Sequence, residues 1–172
     1  VNEVFESCLD PALRYVFSQG PARVRSWDDA RRDGLNCVAL AHLVIRDLFG
    51  CPLPAGSQAL ELFHDLDHFE PVPPAGALRP GDLVWLGTAR PRVPLDEFVP
   101  RYQDGELLNF ADFPVNHVAV CTGEHAAQDH LMLHASPLEG TTALWPLRRF
   151  QDHDRYRVIY GIRRLRVRHR AA

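Results

Sequence analysis

The sequence predicts an α+β domain, helices first and antiparallel strands after, and three observations carry that prediction. In DGLNCVALAHLVIRDLFG (33–50) a turn is followed by Val38, Ala41, Val44, Ile45 and Leu48 at helical spacing. Farther on, DLVWLG, HVAVCTG and LMLHAS are short apolar runs bounded by turn residues, as strands are. EHAAQDH, between the last two, is a polar turn, so these strands pair antiparallel. A chain of 172 residues can build one core, and 1–172 is read as a single domain.

In order along the chain, Val4, Phe5, Cys8, Leu9, Leu13, Val16 and Phe17 fall on one side of a helix over 4–18, with Asp10-Pro11 as a cap and restart. Residues 19–36 form a polar, turn-rich approach to the second helix, whose cap is Asn36 and whose stop is Gly50 with Pro52. CPLPAG connects, and Ser57 caps a short helix running through His68. The Pro-rich EPVPPAGALRPG leads into the strand DLVWLG. Residues 88–116 show no clean period, and a connection of that length reads as a functional loop or a lid. After the hairpin, RYRVIYGI (155–162) alternates as a last strand.

Composition excludes several function classes. The net charge of −3 singles out no partner, and no nucleic acid is expected. The arginine-rich tail from residue 155 reads as a solvated strand edge. No apolar run is long enough to span a membrane. The N-terminus lacks the basic-then-apolar layout of a signal peptide. The expectation is a cytoplasmic protein if the chain is complete, and an extracellular or periplasmic one if a signal was removed upstream. Cys8, Cys37, Cys51 and Cys121 form no CxxC pair, so neither a zinc ribbon nor a dithiol redox motif is present. A phosphate-binding Gly-rich loop is missing as well. His64 and His68 stand four apart on ELFHDLDHF, a spacing that can chelate zinc, but no third ligand is placed and the pair reads as surface.

Cys37 falls on the first turn of its helix, where unpaired amides and the positive dipole end favour thiolate. His117 opens one strand of the hairpin and His134 lies near the end of the next, so antiparallel pairing makes them neighbours. These are the parts of nucleophilic catalysis: a thiolate to attack a carbonyl, an imidazole to shuttle the proton, and a second polar group to fix that imidazole's tautomer. The backbone amide of Cys37 is a natural oxyanion donor. Cys121 shares a strand face with His117 and Ala119 and reads as a buried core thiol, as do Cys8 and Cys51.

The chain carries NCVAL, FGCPLPAGS, LRPGDLVWLG, NHVAVCTG and LMLHAS in that order. It thereby resembles the NlpC-type, papain-like cysteine peptidases of bacterial cell-wall turnover over residues 20–137. Their pattern is a DCSG-like helix start, a GxxLPR connector, an L-x-PGDLV-F strand, HVGIYLG and a strand ending HAS. The resemblance implies a papain-like fold with a Cys-bearing helix packed on an antiparallel sheet. It further implies Cys37 as nucleophile, His117 as general base and His134 as the orienting third member. The implied reaction is cleavage of an amide bond through an acyl-enzyme, in a peptide or peptidoglycan-fragment substrate, with no cofactor and no metal. Asn36 stands where the family has Asp, Val38-Ala39 replace its Ser-Gly, and its YxWGG segment has no counterpart. Papain-like amidases, thioesterases and acyltransferases share the same acyl-enzyme. A catalytically inactive binding module on this scaffold is the reading from a different class.

Overall fold

The computed structural model describes residues 3–73, 76–90, 97, 99, 101–103, 106–108 and 115–166. Helix α1 (Glu3–Glu6) passes into a 3-10 turn over Ser7–Leu9 and stops there. The helix expected over 4–18 is therefore corrected. Asp10 turns its carboxylate onto the Ala12 amide, and the chain beyond runs extended. The Tyr15 amide donates to the Gly140 carbonyl, and the Val16 amide to that of Leu35. Partners distant in sequence have claimed the amides that a helix would need.

The approach over 19–36 is also corrected, because it holds α2 (Trp27–Asp33), capped by the Ser26 hydroxyl on the Asp29 amide. Gly34 follows at φ 84°, where a Cβ would come within 2.4 Å of the Val16 side chain. Asn36 then starts α3 (Cys37–Phe49), its side-chain carbonyl accepting the Val38 and Ala39 amides at 3.1 and 2.9 Å. Gly50, left-handed at φ 66°, closes the helix as expected. Gln58 and Glu61, not Ser57, form the capping box of α4 (Ala59–His64). That helix ends at Asp65, so His68 lies beyond it and bonds the Asp65 carboxylate at 2.7 Å instead of sharing a helix face with His64.

Six strands make the main sheet: β1 (Phe69–Pro71), β2 (Leu83–Gly87), β5 (Val115–Ala126), β6 (Asp129–Ser136), β7 (Thr141–Pro146) and β8 (Val158–Leu165). β3 (Tyr102–Gln103) and β4 (Glu106–Leu107) pair separately, inside the connection expected over 88–116, most of which lies outside the described residues. α5 (Leu147–Gln151) joins β7 to β8. The order across the sheet is β1-β8-β2-β5-β6-β7, antiparallel throughout. The molecule is thus α+β. The last strand falls at Val158–Leu165 instead of 155–162.

Both faces of the sheet are covered. Helix α3 lies across β5 and β6, against Trp85, Val118, Val120, Leu133 and Ala135. On the far face Val84, Leu86, Ala119, Cys121 and Met132 pack under Trp145, Phe150 and Tyr156. Two buried faces are why DLVWLG reads as a continuous apolar run with no alternation. The β5–β6 hairpin closes through Ala127 and Gln128, both at positive φ, the geometry that matches the twist of its strands.

The arginines of the C-terminal strand are partnered within the fold. Arg163 donates to the Phe63 carbonyl at 2.8 Å, and Arg166 to those of Leu66 and Phe69 at 2.9 and 3.1 Å. Arg164 grips the carboxylate of Asp82, itself buried, at 2.9 and 2.7 Å, while the Arg79 amide donates to the same group. Asp82→Ala strands a largely buried guanidinium and opens the turn into β2. It is expected to cost about 2–4 kcal/mol, checked by the shift in urea midpoint.

Candidate active site

The sequence-predicted trio is brought together where β5 begins. Cys37 and His117 line one cleft of about 620 Å³. Cys37 arrives from the helical side of the sheet and His117 from the opposite layer. Both reach that cleft, and the Val118 amide reaches the Cys37 sulfur. The Asn36 cap takes the Val38 and Ala39 amides and leaves the Cys37 amide beside its own sulfur.

His134 lies beneath His117. Pairing of Val120 with Leu133 sets His117 and His134 on one face of neighbouring strands, diagonal to each other. His117 Nε2 and His134 Nδ1 are 2.9 Å apart, a buried hydrogen bond with the ring planes nearly perpendicular. The two residues are 2 % and 0 % exposed. Around them stands an aromatic wall. Tyr156 and Phe150 lie against the His117 ring at centroid distances of 4.7 and 6.0 Å. Trp145 and Phe150 meet His134 in T-shaped contacts, each at 4.7 Å. His134 Nε2 has no hydrogen-bond partner among the described residues and faces this apolar surround. Trp145 is fixed in turn by its Nε1 donating to Glu139 at 2.6 Å and by Arg149 over its ring at 3.8 Å.

Burial sets the protonation states. It is the largest influence on the Cys37 thiol and pushes it up, against the amides of Val118, Cys37 and Val38, which pull it down. The helix-start amides expected to favour thiolate are therefore present at the sulfur, with burial acting against them. Desolvation drives His117 from 6.5 down to about 3. His134 is lowered by burial, then by the nearby charges of His117 and Arg149.

Cys8 and Cys121 are buried, with thiols pushed up to about 11 by burial, as expected of core cysteines. Cys51 is half-buried, not enclosed. Sequence reasoning missed two tyrosines. Tyr15, assigned to a helix, lines the cleft, and both it and Tyr156 lie near enough to Cys37 to feel its charge. A local signal for either is lacking, because each reaches the site through partners far along the chain. Among the described residues no group of three or more metal-ligating side chains occurs, and no helix is long and apolar enough to cross a membrane. No family model matches the chain, and no curated protein matches it.

Two imidazoles held neutral in the fold must take up protons on unfolding. The unfolded state binds more protons between the folded value and 6.5, so their contribution is complete above pH 6.5 and is lost as pH falls towards about 3. The urea midpoint is expected to fall over that window, each histidine adding at most about 1.4 kcal/mol per pH unit. His117→Gln should flatten the slope; an unchanged slope would show that His117 is not held neutral.

Proposed function

We propose that this chain is a papain-like, NlpC-type cysteine hydrolase that cleaves an amide bond through an acyl-enzyme, with a peptidoglycan-type peptide as its substrate. The observation that carries the reading is the 2.9 Å bond from His117 to His134 behind a cleft that Cys37 and His117 share. Neutral His134 with its proton on Nε2 accepts at Nδ1 from His117 Nε2–H. That tautomer leaves His117 Nδ1 free to take the thiol proton. An N–H also suits the aromatic surround of His134 Nε2 better than a lone pair does.

The Cys37 sulfur attacks the scissile carbonyl carbon while His117 removes its proton, so no thiolate need accumulate first. The oxyanion is held by the Cys37 amide, and the Tyr15 hydroxyl on the same wall supports that role. His117, now imidazolium, gives its proton to the leaving amine as the C–N bond breaks. Water, deprotonated by His117, then attacks the thioester, and the carboxylate product leaves with Cys37 restored.

One observation favours the silent binding module, namely the upward push of burial on the thiol. Turnover separates the two readings. Peptidoglycan stem peptides incubated with the protein and followed by mass spectrometry should show a new amide cleavage. Cys37→Ala and His117→Ala should each lower its rate by about 10⁴-fold or more, and His134→Ala should leave a measurable remainder. Full activity in either of the first two variants rules the mechanism out.

A further inference from the structure

We propose that the cleft takes a substrate bearing a free carboxylate, which Arg23 reads while the scissile carbonyl sits at Cys37. This rests on the hydrolase reading and deepens it. Arg23 lines the same cleft as Cys37 and is the one charged side chain on its wall among the described residues. Other arginines are engaged in ion pairs: Arg31 with Asp10 and Asp28, Arg32 with Asp29 and Asp33, Arg46 with Asp47. Arg23 is exposed and makes no ion pair or side-chain hydrogen bond among the described residues.

Its position is tied to the nucleophile. The amides of Arg23 and Val24 both donate to the Gly20 carbonyl at 3.0 Å, and Gly20 packs against the Asn36 side chain so closely that a Cβ would stand 3.3 Å from Nδ2. Asn36 caps the helix that carries Cys37, so the turn bearing Arg23 rests on that helix start. Arg155 adds positive charge near Tyr15 and Tyr156, and no carboxylate lines the cleft among the described residues. A cleft of one sign concentrates anions, and a guanidinium fork matches a carboxylate with two parallel hydrogen bonds. Phe17, 82 % exposed on the same wall, offers an apolar platform beside it.

The test uses thiol-alkylating probes, which need no substrate: iodoacetyl glycine peptides of one, two or three residues, each as free acid and as terminal amide. Labelling of Cys37 is followed by peptide mapping, with the amide rate as internal reference. For at least one length the acid-to-amide rate ratio should fall about five- to tenfold in Arg23→Gln, stay intermediate in Arg23→Lys, and collapse in high salt. A ratio that Arg23→Gln leaves unchanged at every length, while Cys37 still labels, overturns the carboxylate assignment and spares the hydrolase reading. A ratio that drops in Arg155→Gln alone overturns it as well. Failure of every probe to label Cys37 overturns both.

Discussion

The candidate site depends on one hydrogen bond between two imidazoles that have almost no contact with water, His117 Nε2 to His134 Nδ1. Removing two polar rings from solvent is unfavourable unless each finds a partner, and here each is the other's. The bond exists only because β5 and β6 pair in the register that sets Val120 against Leu133. A slip by one residue would turn every side chain of one strand to the opposite face. The register is held from both sides, by Val118, Val120 and Leu133 under the helices and by Ala119, Cys121 and Met132 under the aromatic layer. Ordinary packing of a sheet thus fixes the geometry of the histidine pair.

Electrostatics at Cys37 are a contest between two effects of known size. A helix N-terminus stabilises an anion by about 0.3–1 kcal/mol, reaching about 2 when partly buried. Full desolvation of an ionisable group can move it by several pKa units, each about 1.4 kcal/mol. Cys37 is half-buried on the cleft wall, and there burial is the larger of the two influences. For the proposed reaction it favours a pathway in which proton removal accompanies attack, and it makes the tautomer of His117 more important than any standing charge. The aromatic wall around His134 therefore matters to the proposed reaction although none of its rings lines the cleft.

The sequence was most readable where structure is dictated locally. Asn36 before an apolar period, Gly50 after it, and the apolar runs of β2, β5 and β6 each carry their cause in a few neighbouring residues. Cys37, His117 and His134 could be associated because antiparallel strands in sequence order leave few ways to pair. Val16 kept helical spacing and Tyr15 fell within the same expected helix, yet their amides bond Leu35 and Gly140, partners that spacing cannot announce. Helix α2 was hidden by polarity: of its seven residues, WDDARRD, only Ala30 is buried. Its Ser26–Asp29 cap is nevertheless a legible local signal. β7 and α5 owe their places to strands and rings already assembled. Among them Trp145 and Phe150 complete the wall around the histidines.

Asn36 shows why a single atom at the helix cap matters beyond the helix. Its carbonyl oxygen serves the Val38 and Ala39 amides, as an aspartate carboxylate would. Its Nδ2 does what aspartate cannot, donating to the Phe17 carbonyl at 3.0 Å. The Asn36 backbone amide binds the Gln19 carbonyl at 2.9 Å, so two bonds tie the segment holding Tyr15, Phe17 and Gly20 to the start of α3. One wall of the cleft is thus fastened to the residue preceding Cys37. An aspartate here would cap the helix equally well, release Phe17, and set its negative charge against the Phe17 carbonyl. The asparagine at this cap is therefore suited to a chain whose cleft wall, running from Tyr15 to Arg23, is built from extended backbone and turns.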